Sequence, residues 1–87
     1  MIDSWFVYIL ECSDKTLYCG ITTDLERRLC EHNKGSKGSK YVRARRPAKI
    51  VYSERSENRS TAQSREYKIK KMKRYEKLEL IRKVVLE

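Results

Sequence analysis

No stretch of this chain approaches the roughly 20 apolar residues that a membrane span needs, and its opening, Met1-Ile2-Asp3-Ser4, lacks the basic-then-apolar order of a secretion signal. A cytoplasmic protein with no membrane partner is the expectation. Cysteine is sparse: Cys12, Cys19 and Cys30 are an odd number with no C-x-x-C pair. Without a secretion signal that implies free thiols and excludes a disulfide framework. Cys12-x6-Cys19 and Cys30-x-His32 also lack the short ligand spacing of a zinc knuckle, which argues against a Cys3His site. Length is short as well. With 87 residues there is no room for a second core, so residues 1–87 are expected to form one domain, and no internal repeat is visible.

Acidic residues are the minority: 12 Asp and Glu stand against 21 Lys and Arg, a formal charge of +9. Clustered cations release counterions on meeting a polyanion, so nucleic acid is the leading partner class. A solvated basic surface, or attraction to anionic lipid, is the competing reading of charge alone.

What the chain does contain begins with Trp5-Phe6-Val7-Tyr8-Ile9-Leu10, a dense aromatic and β-branched run that predicts a central strand covered on both faces. Ser13-Asp14-Lys15 supplies turn chemistry, and Thr16 to Ile21 reads as the returning strand of a hairpin. A three-residue loop pairs Leu10 with Tyr18 and Tyr8 with Gly20, which puts all four on one face. A two-residue loop would shift the register by one and separate the tyrosines. In the first register Gly20 leaves a gap opposite Tyr8 where a phosphate could approach.

Thr23 as N-cap with Glu26 three residues later predicts a helix, and Leu25 and Leu29 form its buried stripe. Arg28 and His32 are an i, i+4 pair and point the same way. The helix stops at Asn33-Lys34-Gly35. Gly35 to Arg46 reads as a flexible cationic loop, whose Lys40, Arg43, Arg45 and Arg46 suit backbone-phosphate contacts. Pro47 introduces a third strand over 49–54. Ser60 with Gln63 caps a second long helix, and a break near Tyr75 precedes a last segment in which Leu78, Ile81 and Val85 close the core. The fold class is α+β: a small three-stranded antiparallel sheet flanked by helices, in the order β-β-α-β-α-α.

On the second long helix Glu66 falls between the core-facing Ala62, Ile69 and Met72. A carboxylate on an inward stripe is costly unless a cation, a metal or hydrogen-bond donors compensate it. An ion pair with a neighbouring Arg or Lys is one explanation and a bound metal another.

Together these residues resemble the GIY-YIG nuclease superfamily, in particular its small stand-alone bacterial members, over nearly the whole chain. The first motif stands here as Phe6-Val7-Tyr8, with Phe6 at the leading glycine, and the second as Tyr18-Cys19-Gly20. Arg28, His32-Asn33 and the inward Glu66 follow in matching order.

The resemblance implies metal-dependent hydrolysis of phosphodiester bonds in DNA, with RNA a weaker alternative. It implies low intrinsic sequence specificity, branched or damaged structures being conceivable targets. Catalysis would fall to Tyr8, Tyr18, Arg28, His32 and Glu66, with Gly20 beside the phosphate. Glu66 would hold a single Mg²⁺ or Mn²⁺, since one hard carboxylate plus waters and substrate oxygens suits these ions. Arg28 would neutralise charge on the phosphoryl oxygens. Tyr8 is the foremost candidate to orient or deprotonate the attacking water, with Tyr18 and His32 assisting; the base is not assignable between them from sequence. A non-catalytic nucleic-acid-binding module on the same fold is the alternative. A protein partner supplying specificity is compatible with either, and the oligomeric state is open.

Overall fold

The computed structural model describes residues 4–86, with side chains through Lys83. Three strands, β1 (Trp5–Glu11), β2 (Leu17–Thr22) and β3 (Lys49–Ser56), form an antiparallel sheet in the order β2-β1-β3. The apolar run of β1 therefore lies in the centre, and Val7, Tyr8, Ile9 and Leu10 are all buried, as a strand covered on both faces requires.

The hairpin register is the one a three-residue loop dictates: Tyr8 faces Gly20 and Leu10 faces Tyr18. Cys12 N–H closes the loop on Thr16 O at 2.9 Å, and Lys15 takes the left-handed conformation at φ 69°, where a three-residue hairpin loop needs it.

Four helices cover the sheet: α1 (Leu25–Asn33), α2 (Lys40–Arg43), α3 (Arg59–Lys71) and α4 (Arg74–Leu86). Side chains of β1 alternate between two cores. Val7 and Ile9 pack with Cys19, Ala62 and Ile69 under α3 and α4. Tyr8 and Leu10 pack with Cys12, Val42 and Ala48 under α1 and α2.

Several local expectations are corrected. The cap of α1 is Asp24, whose carboxylate accepts from Arg27 N–H at 3.1 Å, and not Thr23. Likewise α3 is capped by Asn58, which accepts from Thr61 N–H at 2.8 Å, and not by Ser60. In both places the displaced Ser or Thr lies within two residues of one with an amide or carboxylate, a cap of equal or higher rank. The break before α4 falls at Met72-Lys73 rather than Tyr75, because Glu76 reaches back to Lys73 N–H at 2.8 Å and starts the new helix there. Leu78 is 39% exposed, and Leu80 joins Ile81 against the core in its place. Val85 lies outside the described side chains. Among the described residues no helix is long and apolar enough to cross a membrane.

The segment read as a flexible loop contains α2. Ser39 caps this single turn by accepting from Val42 N–H at 3.2 Å, and Val42 is fully buried. One turn is too short for hydrophobic periodicity to register. Gly38 fixes the approach: a Cβ there would lie 2.6 Å from His32 Cα and 2.7 Å from Glu31 O, so the chain crosses α1 at contact distance. Asn33 then ties the end of α1 to the start of β3 through two reciprocal 2.8 Å hydrogen bonds with the backbone of Ala48.

Candidate active site

Sheet register and the α1 turn bring Tyr8, Tyr18, Arg28 and His32 together on the α1 face. His32 is fully buried and lies 2.8 Å from Tyr8 Oη through Nε2. On its other side Ser39 N–H donates to His32 Nδ1 at 3.4 Å. A backbone N–H can only donate, so Nδ1 is the unprotonated nitrogen of a neutral ring and Nε2 carries the hydrogen. His32 therefore donates to Tyr8 Oη, and the phenol proton is free to point elsewhere.

Burial sets the charge states. His32 is pushed down to about 4, chiefly by loss of water and secondarily by the nearby Arg28 guanidinium, so the ring stays neutral at physiological pH. Burial pushes the Tyr8 phenol up to about 12, while Arg28 beside it pulls the other way. In the free protein Tyr8 is thus a phenol held by a donor and a cation, both of which favour its ionised form.

Gly20 makes room for this arrangement. A Cβ at Gly20 would stand 2.6 Å from Tyr8 Cζ and closer still to Oη. The gap opposite Tyr8 is real, but the tyrosine's own ring fills it. Gly20 is buried, and its expected contact with a phosphate gives way to a contact with Tyr8.

Arg28 is half-buried on α1, where Nη1 donates to Glu31 Oε1 and to Lys37 O, each at 3.0 Å. Tyr18 packs edge-on against the His32 ring with centroids 5.3 Å apart, and its hydroxyl has no protein partner among the described residues. Tyr41, which sequence reasoning missed, stacks on Tyr18 at 6.1 Å and carries the Arg45 guanidinium 3.8 Å above its own ring. Its only signal in sequence is an aromatic residue inside a Gly/Ser/Lys run.

The four cationic residues of the 40–46 segment separate into two kinds. Arg46 lies against the end of α1, donating to His32 O at 2.6 Å and Gly35 O at 2.8 Å. Arg45 is held by Asp14 at 3.1 Å and by Tyr41 O at 2.9 Å. Both hold the protein's own chain. Arg43 makes one bond, to Ser36 O at 3.1 Å, and exposed Lys40 makes no ion pair among the described residues.

Glu66 is not drawn into the tyrosine cluster. It sits on α3, on the other side of the sheet, with its carboxylate 3.3 Å from Lys70 Nζ and its side chain 20% exposed. Its charge is felt by Cys19, where burial first and Glu66 second push the thiol up to about 12. Cys19 lies between Tyr18 and Gly20 on β2, an edge strand. Among the described residues no three His, Cys, Asp or Glu side chains converge as a metal site. A lone half-buried carboxylate still fits Mg²⁺ or Mn²⁺, which keep most of their waters and take the remainder from substrate phosphate.

The chain matches a known family in sequence. The model of the GIY-YIG catalytic domain covers residues 4–79. The chain belongs to the GIY-YIG family. It is 56% identical over 77 residues to a UPF0213 protein of Syntrophus aciditrophicus, covering 88% of each chain. To the UPF0213 protein of Desulfotalea psychrophila it is 49% identical over 79 residues, 91% of this chain and 72% of that one. Among solved structures, the solution NMR structure of the UPF0213 protein BH0048 from Bacillus halodurans aligns at TM-score 0.57 and 40% identity, over 90% of this chain and 82% of that one. The matched residues include Tyr8 and Tyr18, which both meet the His32 ring.

Proposed function

We propose that the protein is a small divalent-metal-dependent endonuclease that hydrolyses phosphodiester bonds in DNA with little sequence preference. The observation that carries this reading is the buried Tyr8–His32 hydrogen bond beside Arg28, in a chain of the GIY-YIG family. His32 positions Tyr8 and, by donating to Oη, stabilises negative charge there. Arg28 supports the same charge. Tyr8 is then the general base: its phenol first gives its Oη proton to solvent, and the phenolate, supported by the His32 N–H and Arg28, takes one proton from the attacking water. This order removes His32 from the candidates for base, because its unprotonated nitrogen faces Ser39 and not the cleft.

Arg28 also receives the scissile phosphate, exchanging Glu31 for a phosphoryl oxygen pair that its planar fork matches equally well. Tyr18, whose hydroxyl is unengaged, orients the phosphate or the departing oxygen. Glu66, released from Lys70, would hold the divalent cation through its carboxylate, and Lys40 and Arg43 contact flanking phosphates. When bound, the cation supplies charge stabilisation at the phosphoryl group.

A binding module without efficient cleavage is the second reading, favoured by the parking of Glu66 on Lys70 and by the raised Tyr8 phenol. Purified protein incubated with supercoiled plasmid and a branched duplex, in Mg²⁺ or Mn²⁺, separates the two. The enzyme reading expects metal-dependent nicking, lost in Glu66→Ala and Arg28→Ala while DNA affinity is largely kept. Salt-sensitive binding with no nicks under any of these conditions refutes it.

A further inference from the structure

At the end of the sheet where β1 begins and β2 ends, a groove of about 310 Å³ opens between the first turns of α1 and α3, lined by Trp5, Thr22, Arg27, Arg28, Glu31 and Arg59 among others. Arg28 is shared with the candidate active site, so the groove continues the cleft rather than standing apart from it. Its charge is lopsided. Three guanidiniums meet one carboxylate, Glu31, which Arg28 takes at 3.0 Å and Arg27 touches only at 3.8 Å. Arg59 is exposed, lies 5.8 Å above the Trp5 ring and has no carboxylate partner among the described residues. One arginine without a carboxylate partner and a second only loosely held, beside a half-buried indole in a concavity, are the chemistry that receives a phosphate together with a planar ring.

We propose that this groove is a nucleic-acid subsite for one nucleotide of single-stranded DNA. Its phosphate sits between Arg27 and Arg59, and its unpaired base lies against Trp5. The subsite is adjacent to the phosphate on Arg28, and in that placement it rests on the nuclease reading. None of the basic residues in the 40–46 segment lines this groove, so its phosphate contact adds to any that Lys40 and Arg43 make. A base still paired in a duplex offers no free face to Trp5. The groove thus favours a frayed, overhanging or unpaired strand over a continuous duplex.

Trp5 is the only tryptophan in the chain, so its emission reports this groove alone. The test is a titration of the full-length protein with a short single-stranded oligodeoxynucleotide in EDTA, following tryptophan emission and the anisotropy of a labelled strand together. The expected result is saturable quenching that tracks binding and is weaker with blunt duplex. Arg59→Ala, at an exposed first helical position, should weaken binding several-fold and lower the slope of log K against log salt by about one. Arg82→Ala, an exposed arginine on α4, should leave the slope unchanged. Binding without a change in Trp5 emission overturns the base contact. An Arg59→Ala variant that behaves like Arg82→Ala overturns the phosphate contact, and a failure to bind at all overturns both. Quenching by a protein that never cleaves with Mg²⁺ or Mn²⁺ keeps the subsite and sinks the nuclease reading. Cleavage without quenching does the reverse.

Discussion

Tyr8 is the side chain whose surroundings decide what the site can do. Its ring fills the space that the absent Gly20 side chain leaves, and its hydroxyl meets a histidine that can only donate. Removing that hydroxyl in Tyr8→Phe should lower cleavage by about 10²- to 10⁴-fold, the usual contribution of a general base, while the circular dichroism spectrum and DNA affinity stay close to wild type. Gly20→Ala tests the packing from the other side. The added methyl has nowhere to go, and overpacking of this kind costs about 1–3 kcal/mol. A Tyr8→Phe/Gly20→Ala double variant should recover part of that loss in urea unfolding, because deleting Oη removes the closest of the clashing atoms. Strict additivity of the two single changes would show that the contact is not the cause. These residues were legible in the sequence because a strand has an exact period of two: once the loop length is known, the partners of Tyr8 and Tyr18 follow. The functions of Arg45, Arg46 and Tyr41 were not legible. Whether an arginine in a basic segment faces solvent or its own chain depends on the tertiary path, which composition does not encode.

Among the elements, the segment from Gly35 to Arg46 departs furthest from its reading in sequence. Glycine, serine and lysine suggest mobility, yet Gly38 is present because the chain passes within van der Waals contact of α1. Ser39 both caps α2 and delivers an N–H to His32. Gly38→Ala should therefore act at a distance. It should push Ser39 from His32, free the imidazole tautomer and lower cleavage. Its stability cost is that of an overpacked site, about 1–3 kcal/mol. Unchanged cleavage in a measurably destabilised variant would disconnect the loop from the histidine. Arg46 and Lys40 make a paired contrast within the same segment. Arg46→Ala removes charge-assisted hydrogen bonds to the end of α1 and should cost about 2 kcal/mol in urea unfolding, with little change in the salt slope of DNA binding. Lys40→Ala should leave stability within about 0.5 kcal/mol and lower that slope by about one. The long helices were read correctly as helices, since their apolar spacing survives any choice of cap. Their first residues were misplaced because Thr23 and Asp24, or Asn58 and Ser60 two residues on, offer the backbone nearly equal caps. The winner is decided by how the preceding strand delivers the chain.

For the molecule as a whole, the two-sided core makes a prediction about acid that charge alone would not. Loss of stability in acid is commonly traced to surface carboxylates. Here Asp14 is held below the usual carboxylate range by Thr16, and Glu31 by Arg28, so both stay ionised to lower pH than an unperturbed carboxylate. His32 behaves differently. Its folded value is about 4 against 6.5 for an unperturbed imidazole, so as pH falls through 6.5 the unfolded chain takes up a proton that the native chain refuses. Stability is complete above that range, declines between 6.5 and 4, and levels off once the native ring also protonates. The difference corresponds to about 3 kcal/mol. Urea unfolding measured at intervals from pH 7.5 to pH 4 should follow that curve, with the steepest loss centred well above the carboxylate range. In His32→Gln the amide can still donate to Tyr8 Oη but has no proton to gain. That variant should be less stable at neutral pH yet nearly flat down to pH 5, so the two profiles converge as acid removes the advantage of the imidazole. Parallel profiles would place the acid sensitivity in the carboxylates and detach it from the Tyr8–His32 pair. Convergence would mean that the buried hydrogen bond organising the candidate active site also sets the pH range in which the fold persists.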